Sequence, residues 1–229
     1  MTCIQENIRI IEERIGICAK KSGRNKDDIT MIAVSKTVDA GSVEQAAKAG
    51  IKNFGENRVQ EFLKKREVLV SAVNWHIIGP LQRNKVKYIL EDVYLLHSLD
   101  RLSLAQEIEK QCDKKGTEIS ALVQINIAKE PTKSGVFEED LEQLLEKLSV
   151  LRRVRIKGLM AIPPIAQNAD DNRPYFVRMN VLFNRFKRYF PNNTFEYLSM
   201  GMSNDFEAAI EEGSNMVRIG TAVFGARSK

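Results

Sequence analysis

Apolar positions along the 229-residue chain fall into two alternating rhythms. Short β-rich runs occupy about Thr30 to Ser35, Asn53 to Gly55, Asn74 to Ile78, Tyr94 to His97, Glu118 to Ile127, Ile156 to Ala161, Phe195 to Ser199 and Met216 to Ile219. Between them lie segments with helical periodicity: "GSVEQAAKAG", "RVQEFLKKREVL", "NKVKYILED", "RLSLAQEIEKQCDKKG", "FEEDLEQLLEKLSVL", "YFVRMNVLFNRFKRYF" and "DFEAAIEEG". Gly50, Gly116 and Gly213 each close one of them, as helix stops do. Eight strands separated by helices in a chain of this length predict an α/β protein with one domain over residues 1–229, a closed parallel (β/α)8 TIM barrel. An additional N-terminal helix, roughly Thr2 to Lys21, stands outside the repeat. An open doubly wound sheet is the alternative. The stretch "PPIAQNADDNRP", Pro163 to Pro174, is the one long loop.

Composition narrows the function classes. No apolar run approaches the roughly 18 residues of a membrane span. The first residues read as an amphipathic helix rather than a signal peptide, so a cytoplasmic location is expected. Cys3, Cys18 and Cys112 are odd in number and lack metal-ligand spacing, which leaves them as reduced filler. The net charge of +5 comes from basic residues interleaved with acids, without an aromatic and basic stripe. That pattern argues against nucleic acid and accommodates an anionic small molecule.

In such a barrel, chemistry gathers at the carboxyl ends of the strands. The last two ends carry "SMGMSND" and "RIGT". Gly201, Ser203 and Asn204 precede a helix, and Gly220 and Thr221 follow strand eight, so backbone N–H groups and hydroxyls would face an anion there. A phosphate is the predicted group, although Ser203 or Asn204 could equally be a simple helix cap. The first strand delivers Lys36 to the same mouth. A strand-end lysine is ordinarily solvated, but beside Arg218 its amine would be easier to deprotonate and so usable as a nucleophile. A lysine with a phosphate anchor fits pyridoxal 5′-phosphate (PLP), and fits equally an aldolase lysine acting directly on a sugar phosphate.

Taken together, "AVSKT", "FGENRVQE", "WHIIGPLQRNK", "SLD", "GLMAI" and "LSMGMSNDFEAAIEEGSNMVRIGTAVFG" closely resemble the pyridoxal phosphate homeostasis proteins, which share the fold of the N-terminal barrel of alanine racemase. The resemblance spans essentially the whole chain. It implies PLP held as an internal aldimine on Lys36, with Asn57 beside the ring and Met200 packed near it. It further implies that Ser203, Gly220 and Thr221 hold the phosphate and that Arg218 faces the pyridine nitrogen. Read from the residues alone, Asn57 is a turn residue and Met200 is core filler, and a rim ion pair is the alternative role for Arg218, which its place within "MVRIGTA" disfavours.

A guanidinium only donates hydrogen bonds, so a pyridine nitrogen against Arg218 would stay unprotonated and the ring would be a weak electron sink. A racemase would also need a second acid or base opposite Lys36. In alanine racemase that group is a partner subunit's tyrosine from a separate β-domain, whereas this chain runs only to Lys229. Tyr197, about two residues before the rim, and His76, inside a strand, are expected to pack. The expected function is therefore a non-catalytic, monomeric PLP carrier that exchanges cofactor with the free pool or with apo forms of PLP-dependent enzymes. The alternative is a racemase or decarboxylase of the same fold, its acid supplied by a loop such as "AKEPTKSG".

Overall fold

The computed structural model describes residues 3–187, 190 and 194–225. Eight parallel strands close into a barrel in sequence order: β1 (Thr30–Val34), β2 (Asn53–Glu56), β3 (Asn74–Ile77), β4 (Val93–Leu99), β5 (Ile119–Ile125), β6 (Val154–Ala161), β7 (Tyr197–Met202) and β8 (Met216–Ile219). β8 pairs with β1 from Thr30 against Met216 to Ala33 against Ile219, which closes the ring and removes both sheet edges. The TIM barrel read from the alternating pattern is the observed fold.

The helices are α1 (Ile4–Lys21), α2 (Ala40–Lys48), α3 (Val59–Val68), α4 (Leu102–Lys115), α5 (Glu138–Ser149), α6 (Arg173–Lys187), α7 (Phe206–Glu211) and α8 (Thr221–Phe224). α1 precedes the repeat and buries Ile8, Ile11, Ile15, Cys18 and Ala19, the three- and four-residue spacing of an amphipathic stripe. "NKVKYILED" forms a 3-10 helix, Arg83–Tyr88, rather than an α-helix, so the crossover after β3 is short. The long loop after β6 contains another 3-10 turn, Ala169–Asn172. The expected helix start at Thr2, the carboxyl end of "YFVRMNVLFNRFKRYF" at 188–189 and the tail at 226–229 lie outside the described residues. Among the described residues no helix is long and apolar enough to cross a membrane.

Strand side chains alternate between two cores, as a closed sheet requires. Phe54, Trp75, Leu96, Val123, Leu198 and Val217 point outward and pack with the helices. A smaller inner cluster of Ile32, Leu95, Leu122, Met160 and Met216 plugs the barrel, with Tyr197 against it. Above this plug the inward positions turn polar, and that change makes room for a site.

Candidate functional site

The same period of two places Lys36. Ile32 is in the inner plug, and Val34 and Lys36 follow on the same face to line a cavity of about 540 Å³ at the carboxyl ends of the strands. Ser35, between them, faces outward and is fully buried. Its hydroxyl donates to Glu56 Oε1 at 2.7 Å, and Lys65 Nζ donates to both Glu56 Oε1 and the Ser35 carbonyl at 2.6 Å. This pair is almost entirely buried, and burial raises the Glu56 pKa against the opposing pull of Lys65 and Ser35. Immediately after Lys36, Thr37 has φ of +61°, a left-handed conformation unusual for a β-branched residue. Its N–H donates to Glu61 Oε2 at 2.8 Å, which holds the turn. Lys36 thus sits between a buried ion pair and a strained residue that fix its backbone.

Asn57 reaches the cavity from the end of β2, pressed against Gly79 of the next strand end. A Cβ on Gly79 would fall 2.4 Å from the Asn57 carbonyl oxygen, so only glycine permits this approach. The loops after β7 and β8 flank the β1 end on the side away from β2 and line the same cavity with Ser203, Asn204, Asp205, Gly220 and Thr221. They are joined directly: the Gly220 N–H donates to Ser203 Oγ at 3.1 Å. Asp205 holds the first loop in shape by accepting from the Met202 N–H at 2.7 Å, and Asn172 Nδ2 ties its other oxygen to the loop after β6 at 2.8 Å. α8 begins at Thr221; the Val223 and Phe224 N–H groups donate to the Gly220 carbonyl, which leaves those of Thr221 and Ala222 at the start of the helix without a partner within it.

Arg218 closes the floor and is 4% exposed. Its guanidinium donates to Ser199 Oγ at 2.6 Å and to the Ala161 carbonyl at 2.8 Å, both neutral acceptors. Burial lowers its pKa to about 10, with Asp205 opposing the shift. A buried cation bonded only to neutral oxygens favours a ligand that carries negative charge or a lone pair.

Six of the sequence-derived residues, Lys36, Asn57, Ser203, Arg218, Gly220 and Thr221, therefore line one cavity. Met200 does not. β7 continues to Met202, three residues past its expected end, so Met200 lies within the strand, faces outward and is fully buried in the helix-side core. Met202 takes the place on the cavity wall. Arg218 is likewise a buried floor residue rather than a rim ion pair. Tyr197 opens β7 instead of lying near its end, and its hydroxyl is 3.4 Å from that of Tyr94. His76 is fully buried within the barrel, as its position inside a strand suggested.

Sequence reasoning missed Gln124, Asn126, Asp205 and Asn172. The first two had a signal: Leu122, Gln124 and Asn126 alternate along β5 and just past its end, turning from apolar to polar on the inner face. Lys133 and Ser134, from the loop "AKEPTKSG", also line the cavity, with Lys133 Nζ donating to the Pro163 carbonyl at 3.1 Å.

Comparison with known proteins gives a consistent picture. The family model described as alanine racemase, N-terminal domain, matches residues 4–228. The pyridoxal phosphate homeostasis protein of Aquifex aeolicus is 44% identical over 223 residues, 97% of each chain. That of Escherichia coli K12 is 41% identical over 233 residues, 99% of this chain and 98% of the relative. Among solved structures, PipY of Synechococcus elongatus with PLP bound is 31% identical, covers 97% of this chain and 100% of its own, and superposes with a TM-score of 0.85. An alanine racemase of Clostridium difficile shares the fold at 17% identity and a TM-score of 0.74, with 60% of its chain covered.

Proposed function

Because this chain belongs to the pyridoxal phosphate homeostasis protein family, we propose that it binds pyridoxal 5′-phosphate through Lys36 and supplies it within the cytoplasm, as a monomeric carrier. The observation that carries this reading is the convergence of Lys36, the joined loops of Ser203 and Gly220, and buried Arg218 on one cavity. The donor set fits the cofactor: an amine for its aldehyde, hydroxyls and backbone N–H groups for its phosphate, and a guanidinium for its ring nitrogen. When bound, PLP supplies an electrophilic aldehyde and a conjugated ring.

The residues around it hold rather than transform. Ser203 and Thr221, with the Thr221 and Ala222 N–H groups, anchor an anionic tail beside the β1 end that carries Lys36. Arg218 can only donate, so a ring nitrogen set against it remains unprotonated and withdraws electrons weakly. Tyr197 stands at the far end of β7 and His76 lies beneath the cavity floor, so neither serves as a second acid or base. Lys133, already bonded to Pro163 and paired with Glu130, is the cavity-wall group an enzyme reading would have to recruit.

The test is transfer and turnover measured side by side. Loaded protein should restore activity to an apo PLP-dependent enzyme. Single-enantiomer amino acids should remain unconverted. Racemisation or decarboxylation at enzymatic rates, lost in Lys36→Ala, would replace the carrier reading with the enzymatic one.

A further inference from the structure

Beneath the cavity, the barrel interior carries a continuous line of polar side chains. Arg218 Nη1 donates to Ser199 Oγ at 2.6 Å, and Ser199 Oγ lies 3.1 Å from His97 Nδ1. His97 Nε2 lies 3.0 Å from His76 Nδ1. His76 Nε2 lies 3.2 Å from Asn53 Oδ1, which also accepts from Asn74 Nδ2 at 3.1 Å. Both imidazoles and Ser199 are fully buried. The residues come from β2, β3, β4, β7 and β8, so the line ties distant strands of the barrel together.

The direction of every hydrogen bond follows from the two ends. A guanidinium has no acceptor, so Ser199 Oγ receives its bond. An amide oxygen has no proton, so His76 Nε2 carries the hydrogen facing Asn53. Neither ring is bonded to a carboxylate, and a buried neutral imidazole has one N–H only. His76 Nδ1 is then an acceptor, which makes His97 Nε2 the donor and His97 Nδ1 an acceptor in turn. Ser199 completes the order by donating its hydroxyl hydrogen to His97 Nδ1. The opposite order, with both Asn amides turned over, would have Ser199 accept from Arg218 and His97 together, leaving its own hydrogen with no acceptor among the described contacts. A buried hydroxyl left in that state is costly.

We propose that Ser199, His97, His76 and Asn53 are positioning residues for the cofactor: a one-way hydrogen-bond chain that holds the Arg218 guanidinium at the cavity floor. The chain occupies Nη1 from below, while the Ala161 carbonyl occupies Nη2, and the remaining donors are left for the ligand. Its members do not line the cavity, and they act on bound cofactor through Arg218 alone. This role rests on the reading of the cavity as a PLP site. The proton order within the chain does not.

The experiment has two arms. In cofactor-free protein, nitrogen NMR of the histidine side chains should show Nε2 protonated and Nδ1 unprotonated for both His76 and His97; an Nδ1–H form as the main species of either ring overturns the chain. In the second arm, PLP affinity and the visible band of bound cofactor are measured for Ser199→Ala, Ser199→Thr and Asn53→Leu. Ser199→Ala should weaken binding about tenfold, the scale of one hydrogen bond to a charged group, and displace the band. Ser199→Thr keeps the hydroxyl and should recover most of both. Asn53→Leu, at the far end, should give a mixture of His76 tautomers and a smaller change of the same sign. Variants that fold, bind and absorb like wild type would overturn the chain and leave the carrier reading standing. Wild-type protein that takes up no PLP would overturn the carrier reading and the positioning role together, with the proton order decided by the first arm.

Discussion

Lys65 Nζ lies 2.6 Å from the carbonyl oxygen of Ser35, the residue between the last residue of β1 and Lys36. The same ammonium bonds Glu56 Oε1, so one buried cation holds the end of β1 to the end of β2 directly behind Lys36. Lys65→Met would leave Glu56 buried without its cation, and loss of one partner of a buried pair costs about 3–5 kcal/mol. Chemical unfolding should show that loss, and Lys65→Met combined with Glu56→Leu should recover much of it because no charge is then stranded. A loss below about 1 kcal/mol in the single variant would show that the pair is dispensable.

Phosphate anchoring is assigned to the joined loops after β7 and β8. Ser203→Ala and Thr221→Ala should each weaken PLP binding by about 1–3 kcal/mol, as expected for hydrogen bonds to a charged group. Affinity for pyridoxal, which lacks the phosphate, should be almost unchanged. Equal losses for both ligands would move the anchor elsewhere.

Stability should fall in mild acid because two buried imidazoles resist protonation. Burial lowers the His76 pKa from 6.5 to about 3, and burial together with His76 and Arg218 holds His97 well below 6.5. Below pH 6.5 the unfolded chain takes up protons at both sites while the folded chain does not. The stabilisation is therefore complete above that pH and is lost as the pH falls toward 3. The slope is about 1.4 kcal/mol per pH unit for each imidazole. Unfolding measured from pH 6.5 to pH 5 should show this decline, with a shallower slope in His76→Asn; identical slopes would mean that His76 titrates alike in both states.

Gly79→Ala should displace Asn57, since the new Cβ would lie 2.4 Å from its carbonyl oxygen. The expected result is a stability loss of about 1–3 kcal/mol with weakened PLP binding. Unaltered binding would remove Asn57 from the site.

Much of this was legible in the chain because strand and helix periods differ and glycines mark the stops. The alternation Ile32, Val34, Lys36 is enough to aim the lysine inward once a barrel is assumed. Met200 reads from the residues as core filler, and that is where it lies; only the resemblance put it beside the cofactor ring. The partners of Lys65 and of the histidines were not legible. Lys65 reads as one of many helix-surface lysines, and its burial follows from α3 packing over the ends of β1 and β2. Ser199, His97 and His76 meet only because closing the barrel brings β3, β4 and β7 around one axis, a contact no local pattern encodes.

The central claim is that Lys36 is the amine that captures the cofactor. Purified protein incubated with PLP should develop a visible absorbance band, borohydride should fix the cofactor irreversibly, and mass spectrometry of the digest should place it on the peptide containing Lys36, with band and label both absent in a folded Lys36→Ala variant. A label carried by another lysine, or a band that survives Lys36→Ala, would contradict the account.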